Sequence, residues 1–129
     1  MINKNKSIIL YIFIFSKIII RYVDGGIMRQ IELELFNDMV NIYREADVQC
    51  NYKQAGFLQT LQVKGAIVAA KEVINASEVT DGFTKLLECN RLDLSIEALV
   101  AKDKYKELFT SQERKLCLKR LKEHGYTSK

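Results

Sequence analysis

The chain has 129 residues, of which 48% are hydrophobic, 28% charged and 9% aromatic, a length and polarity that suit one small globular domain. It has no proline, no tryptophan and only 6 glycines, which excludes collagen-like, proline-rich and glycine-rich low-complexity proteins and favours uninterrupted helices. The formal net charge of +4 is unevenly distributed, because residues 1–27 carry +3, residues 28–101 carry −4 and residues 102–129 carry +5. The charge therefore predicts a domain with two electrically different ends.

The first 27 residues contain an apolar run, Ile8–Phe15, which follows Lys4 and Lys6 and is interrupted by Lys17. A membrane-spanning helix needs about 20 mainly apolar residues, and a charge near its centre is costly. A signal peptide needs a cleavage site with small residues such as alanine, and no alanine occurs before Ala46. The segment is therefore not a clean spanning helix, and as a targeting signal it is ambiguous.

The composition of the same segment favours another interpretation. Ile, Asn, Lys, Tyr and Phe dominate it, as in translated noncoding sequence from an AT-rich genome. The codons for Gly25 and Gly26 can form a purine-rich ribosome-binding element just before the codon of Met28. We expect residues 1–27 to lie outside the core, either as an upstream extension before a start at Met28 or as a membrane-associating segment. A packed element of the domain is the third alternative.

From residue 28 onward, the spacing of apolar residues predicts helices. Apolar residues recur at steps of three or four between Ile31 and Ala46, which indicates an amphipathic helix of about five turns. A second helix is predicted over Tyr52–Val63, where Gly65 follows as a terminating residue. A third helix is predicted over Ala66–Asn75, with alanines that allow another helix to approach closely.

The second half of the chain contains clearer helix boundaries. Asp81 is predicted to be the N-cap of a short helix that ends before Asn90, and Ser95 the N-cap of a helix over Ile96–Ala101. Thr110 and Glu113 have the spacing of a capping box, which predicts the start of a last helix.

Gly125 should close the last helix, whose buried side is predicted to comprise Cys117, Leu118 and Leu121. No hairpin signal, strand-like alternation or internal repeat occurs in residues 28–129. We therefore predict an all-α fold, a compact bundle of five to six helices within residues 28–129. Its predicted core consists of Leu35, Met39, Ile42, Phe57, Leu61, Ile67, Val73, Phe83, Leu86, Leu92, Leu99, Leu108, Phe109 and Leu121.

The three cysteines, Cys50, Cys89 and Cys117, are widely spaced and odd in number, unlike the cysteines of a secreted disulfide framework. We expect three free structural thiols and a reducing, cytoplasmic setting. His124 is the only histidine, and on a helix it would stand about 10.5 Å along the axis from Cys117, too far for shared zinc ligation or direct contact. The sequence therefore predicts neither a metal nor a cofactor.

One set of residues resembles a known pattern, and it comprises Tyr52, Phe57-Leu58, Gly65, Asp81–Val100, Leu108-Phe109-Thr110 and Gly125-Tyr126. Over residues 28–126 the chain is similar to a small bacterial helical domain of unknown function. It departs from that pattern at Leu87, where the pattern has Trp, and at Asn90, where it has Gly. The resemblance implies a bacterial helical domain and implies no activity.

The candidate functional residues are charged side chains. Asp93 and Glu97 are carboxylates four residues apart near Arg91, a spacing that allows them to share a cation or to serve the turn and the helix start. No phosphate-binding glycine loop or dinucleotide motif is present, and His124 is the only imidazole that could serve a cysteine nucleophile. We do not expect an enzyme.

The last helix carries a basic stripe, with Lys115, Lys119 and Lys122 at i, i+4 and i+7. Such a stripe can follow a phosphate backbone or form an ordinary solvated face, and aromatic residues between the lysines are missing. We expect a noncatalytic interaction module of the bacterial cytoplasm that binds a protein partner or self-associates. The alternative is a weak nucleic-acid-binding module that uses the basic last helix, and membrane contact is expected only if residues 1–27 are genuine.

Overall fold

The computed structural model describes residues 29–127 and confirms the all-α prediction for this part of the chain. Six α-helices and two short 3₁₀ turns are present among these residues, and no strand. The helices are α1 (Gln30–Cys50), α2 (Ala55–Lys64), α3 (Ala66–Ile74), α4 (Asp81–Glu88), α5 (Ile96–Val100) and α6 (Ser111–Glu123), with the 3₁₀ turns at Leu92–Leu94 and Asp103–Tyr105. Residues 1–27, for which an extension or membrane segment was predicted, lie outside the described residues.

The longest helix, α1, buries one stripe along its 21 residues. Leu35, Met39 and Ala46 on this stripe are fully buried, as their helical spacing predicts. The helix continues one turn beyond the predicted end and stops at Asn51, which has a left-handed backbone with φ 52°. Asparagine tolerates this conformation better than most residues, so it provides the helix end that the apolar pattern alone did not predict.

Gly65 separates α2 from α3. Its backbone N–H donates to the Leu61 carbonyl at 3.0 Å, and its carbonyl accepts from the Ala69 N–H at 3.1 Å, so one residue ends the first helix and begins the second. Its φ of 89° favours glycine. The predicted start of α2 at Tyr52 is wrong, because residues 51–54 form a connection and the helix begins at Ala55.

The boundaries of α4 differ by one residue from the prediction. Thr80, not Asp81, is the N-cap, and its side-chain oxygen accepts a hydrogen bond from the Phe83 N–H at 3.3 Å. Asp81 is instead the first residue of the helix, where the helix dipole also favours a carboxylate. Asn90 has φ 61° after the helix end, and the Arg91 N–H returns to the Leu86 carbonyl at 2.8 Å, as predicted for a left-handed terminator.

The short helix α5 is buried over its whole length, from Ile96 to Val100. Ser95 caps it as predicted, since its hydroxyl accepts from the Ala98 N–H at 3.1 Å and donates to the Leu92 carbonyl at 2.7 Å. The contacts between α5, α3 and α6 place this helix at the centre of the bundle. Any polar side chain on α5 must therefore find its partner inside the protein.

Local signals at both ends of α6 are confirmed. Thr110 and Glu113 form the predicted capping box, with the Glu113 N–H on the Thr110 hydroxyl at 3.0 Å and the Thr110 N–H on the Glu113 carboxylate at 2.9 Å. Gly125, with φ 83°, follows the helix, and the Tyr126 N–H donates to the Leu121 carbonyl at 2.9 Å. The prediction that Leu118 belongs to the buried side is wrong, because its side chain is 45% exposed.

The core consists of two hydrophobic clusters, and Ile42 packs against both of them. Ten of the fourteen predicted core residues are buried, and the remaining four, Ile42, Phe57, Ile67 and Val73, are partly buried. The largest fully buried residue, Tyr105, is missing from the predicted core and lies in a charged stretch of the chain. Its hydroxyl donates to the Asp38 carboxylate at 2.5 Å, which satisfies the polar end of the ring.

The prediction of three separate free thiols is wrong. Cys50 and Cys89 form a disulfide that joins the C-terminal ends of α1 and α4, with their Cα atoms 5.8 Å apart. The two cysteines are 39 residues apart in sequence and meet because α1 contacts α4, where Ala46 belongs to the same hydrophobic cluster as Phe83 and Leu86. Only Cys117 is a free cysteine among the described residues, and it is buried as expected.

None of the helices within residues 29–127 combines the length and the apolar character that crossing a bilayer requires. The longest helix, α1, carries several acidic residues along its length, including Glu34, Asp38 and Glu45.

Candidate functional site

Arg91 and Asp93 bind each other at the surface. The Arg91 guanidinium donates two hydrogen bonds to the Asp93 carboxylate, from Nε to Oδ1 and from Nη2 to Oδ2, both at 2.9 Å. The hydrogen bond with Arg91 lowers the pKa of Asp93, although partial burial opposes it. Arg91 precedes the first 3₁₀ turn and Asp93 lies within it. Because the two side chains form a bidentate pair, each already satisfies the charge of the other.

Glu97 lies in the interior and does not share a partner with Asp93. Its residue is 1% exposed, and its Oε2 atom is 3.3 Å from Nη1 of Arg120. Burial raises the pKa of Glu97, while its own backbone N–H and the charge of Arg120 act in the opposite direction. The predicted carboxylate pair is thus divided between a surface ion pair and a buried one.

The prediction overlooked Arg120 as the partner of Glu97. Besides the carboxylate, its Nη2 atom donates to the Ala76 carbonyl at 2.9 Å, so α6 is joined to α5 and to the end of α3. The helical spacing from Cys117 to Arg120 and Leu121 places the arginine on the buried side, and this signal could have identified it. Both charges of the Glu97–Arg120 pair lie inside the protein, as in an ion pair that supports the fold.

Cys117 and His124 are the remaining residues with nucleophile or base chemistry. Cys117 is fully buried, and burial raises the pKa of its thiol to about 12. His124 donates from Nδ1 to the Arg120 carbonyl at 2.7 Å, and its ring meets Phe83 edge-on with 5.0 Å between centroids. Neither side chain is arranged to activate the other.

Cysteine and histidine side chains are also potential metal ligands, and the sequence predicts no metal site. Within the part of the chain that the structure describes, no group of three or more His, Cys, Asp or Glu side chains has an arrangement that could hold a metal ion. Two of the three cysteines are joined to each other.

The three predicted lysines lie on the solvent side of α6. Lys115, Lys119 and Lys122 are all exposed, and Leu118 lies among them. We call these four residues the α6 face. Only Lys119 has a carboxylate within 4.0 Å among the described residues, and that contact, to Glu123, is 3.9 Å long. The face therefore combines an exposed apolar side chain with largely unneutralised positive charge.

A groove of about 450 Å³ opens on another side of the molecule. It lies between residues 52–60, the middle of α3 and residues 80–82 at the start of α4. A cavity of about 30 Å³ shares Gln54, Phe57 and Gly82 with the groove and extends inward to Glu97. Sequence reasoning missed the groove because its three walls come from separate segments of the chain.

Comparisons with protein-family models, with curated proteins and with solved structures find no match. The α6 face and the groove differ in their chemistry. The first presents positive charge around an apolar centre, and the second presents aromatic and acidic side chains in a concave surface.

Proposed function

We propose that the chain is a noncatalytic interaction module whose α6 face binds an acidic protein partner. The observation that carries the proposal is the position of Leu118, which is 45% exposed and has Lys115 one turn before it and Lys122 one turn after it. A partner that places an apolar side chain against Leu118 and carboxylates against the lysines would complement both properties of the face.

The cations of α6 are divided between two roles. Arg114 donates to the Ala101 carbonyl at 3.0 Å and approaches Asp103 at 3.3 Å, and Arg120 is buried with Glu97. Planar guanidinium groups suit such fixed contacts, whereas lysine ammonium groups remain hydrated and mobile. Within residues 29–127, Lys115 and Lys122 have no carboxylate within 4.0 Å, so their charge is available to a partner.

The helix that carries the face is held rigidly at its beginning. Glu113 closes the capping box and also binds Lys71 of α3 at 2.9 Å. The next residue, Arg114, donates to the Ala101 carbonyl at the end of α5. A binding surface on a fixed helix loses less conformational entropy when it meets its partner. This order supports α6 as a recognition element.

The noncatalytic part of the proposal rests on the side chains available for chemistry. The Cys117 thiol is buried and its pKa is raised to about 12, so it is almost entirely protonated at neutral pH. Glu97 is held by Arg120, and His124 uses Nδ1 on a carbonyl. These contacts favour structural roles for all three.

Nucleic acid remains the alternative occupant because the lysines follow one stripe of α6. A phosphate backbone would contact Lys115, Lys119 and Lys122 and would gain nothing from Leu118. The leucine at the centre of the face therefore favours protein over nucleic acid, and this difference provides the test.

The test measures fluorescence anisotropy of a labelled amphipathic helical peptide of about 15 residues that carries leucines on one face between glutamates. A polyglutamate peptide of equal charge, duplex DNA and single-stranded RNA serve as comparison probes. Leu118→Ala is compared with Leu87→Ala, because Leu87 is also exposed, at 37%, but lies on α4. For the lysines, Lys115→Glu/Lys122→Glu is compared with Lys102→Glu/Lys106→Glu, which changes two exposed lysines outside α6.

We expect the leucine–glutamate peptide to bind more tightly than polyglutamate. Leu118→Ala should weaken that binding about threefold to tenfold, and Leu87→Ala should leave it unchanged. The lysine substitutions in α6 should abolish binding, and their controls should have a smaller effect. Equal binding of both acidic peptides, or tighter binding of DNA or RNA that Leu118→Ala does not affect, would overturn the proposal. Self-association of the chain through α6 in sedimentation experiments would also overturn it, because the face would then bind a second copy of the chain and not an acidic partner.

A further inference from the structure

The groove has the dimensions of a ligand site and a distinct chemical character. Its volume of about 450 Å³ falls in the range of small-ligand clefts. Ala55, Gly56, Ala69 and Gly82 contribute little side-chain bulk, which leaves the space open between larger neighbours. An added Cβ at Gly82 would lie 2.7 Å from the amide nitrogen of the Gln54 side chain, so a larger residue there would push this side chain aside.

Aromatic and acidic side chains share the groove. Tyr52 and Phe57 contribute rings, and Asp81 and Glu72 contribute carboxylates. Tyr52 and Asp81 both line the groove, and the pKa of the Tyr52 phenol is raised by burial and, to a smaller extent, by the negative charge of Asp81. Aromatic rings beside a carboxylate favour organic cations, which gain both charge attraction and cation–π contact.

The charges of the groove are not equally available. Glu72 already binds Lys64 at 2.7 Å, whereas Asp81 has no cation within 4.0 Å among the described residues. Lys53 also lines the groove and opposes the entry of a positive group. Asp81 is therefore the anion most open to a ligand. The positive charge of Lys53 lowers the affinity of the groove for a cation.

We propose that the groove binds an alkylammonium group, carried by a lysine side chain of a peptide or by a small primary amine. The ammonium lies beside Asp81 and Tyr52, and the alkyl stem contacts Phe57 and the half-buried Val73. This site is separate from the α6 face and takes a ligand of the opposite charge, so its success or failure does not depend on the proposed function.

The experiment is an NMR titration of the ¹⁵N-labelled full chain with three probes. They are n-butylammonium, the capped tripeptide Ala-Lys-Ala, and the same tripeptide with norleucine in place of lysine. Asp81→Asn removes the open carboxylate, and it leaves the helix cap intact because Thr80 supplies that cap. Lys53→Gln removes the opposing cation, and Glu78→Gln is the matched control, because Glu78 is exposed nearby but does not line the groove.

We expect saturable shifts at Tyr52, Phe57 and Gly82 with the lysine peptide and none with the norleucine peptide. Asp81→Asn should weaken binding about threefold to fivefold, Lys53→Gln should strengthen it, and Glu78→Gln should leave it unchanged. Binding of both cationic probes assigns the site to the alkylammonium group alone, and binding of only the peptide assigns it to a lysine in a chain. Binding of neither, equal binding of the norleucine peptide, or no effect of Asp81→Asn would overturn the proposal.

Discussion

The ammonium of Lys71 lies 2.9 Å from Oε1 of Glu113, a residue 42 positions later in the chain. The same oxygen accepts the Thr110 N–H at 2.9 Å, and the other carboxylate oxygen accepts the Asn75 amide at 3.1 Å. The capping box of α6 is therefore also a link to α3. This link holds the start of the helix that carries the proposed binding face.

The link between Glu113 and α3 changes which of two substitutions is expected to cost more stability. A capping box alone predicts that Glu113→Ala costs less than Thr110→Ala, which should cost about 1 kcal/mol. Because Glu113 also binds Lys71 and Asn75, we expect Glu113→Ala to lower the free energy of unfolding by about 2 kcal/mol. Urea unfolding of the full chain measures both values.

The control for this prediction is Thr110→Ser, which keeps the hydroxyl cap and should be nearly silent. The double substitution of Thr110 and Glu113 should cost less than the sum of the single losses, because both belong to one box. If Glu113→Ala costs less than Thr110→Ala, the contacts with α3 contribute nothing to stability.

Glu113 should also make stability depend on pH in the acid range. Burial raises its pKa, but hydrogen bonds from Thr110, Lys71 and Asn75 outweigh burial and hold the pKa below its usual value. A carboxyl whose folded pKa is lowered stabilises the protein above its unfolded pKa of about 4.3, and this contribution disappears as pH falls through the folded value. The difference in free energy of unfolding between the parent and Glu113→Gln should therefore be largest near pH 7 and shrink at lower pH. A difference that stays constant from pH 7 to pH 3 would contradict this assignment.

The buried pair of Glu97 and Arg120 predicts a strong asymmetry between single and double substitutions. Arg120→Met leaves the Glu97 carboxylate buried without its cation and should cost about 3 to 5 kcal/mol. Adding Glu97→Leu removes that charge, so the double variant should recover most of the loss. Thermal and urea unfolding check this prediction. A double variant as unstable as Arg120→Met would show that packing, rather than the unpaired charge, causes the loss.

The disulfide predicts how many thiols react. In the oxidised chain, Cys117 alone is free, and because it is buried with a raised pKa it should react with a maleimide only after unfolding. The unfolded, unreduced chain should therefore show one thiol, and the reduced chain three. Reduction should lower stability by about 3 to 4 kcal/mol for a closed loop of 39 residues. Three reactive thiols before reduction would contradict the Cys50–Cys89 bond.

Local signals predicted much of the fold. The capping box at Thr110 and the terminating residues Asn90 and Gly125 are set by nearby backbone groups, so the sequence alone identified them. Leu118 was misassigned because an apolar residue one position from Cys117 fits the same periodic pattern, although it points about 100° away around the helix.

The features that could not be predicted depend on long-range contacts. The Cys50–Cys89 bond requires the ends of α1 and α4 to meet, and the Glu97–Arg120 pair requires α5 to be enclosed by its neighbours. Neither relationship has a fixed sequence spacing. The lysines of the α6 face were identified because they share one helix, and the groove was not, because it joins three separate segments.

In the function we propose, α6 recognises an acidic protein surface through Leu118 and its neighbouring lysines. The most direct measurement is an NMR titration of the ¹⁵N-labelled full chain with the leucine–glutamate helical peptide. We expect saturable shifts concentrated at Lys115, Leu118, Lys119 and Lys122, and their loss in Leu118→Ala but not in Leu87→Ala. Shifts that centre on the groove, or equal shifts at α6 in the parent and in Leu118→Ala, would contradict recognition through the α6 face.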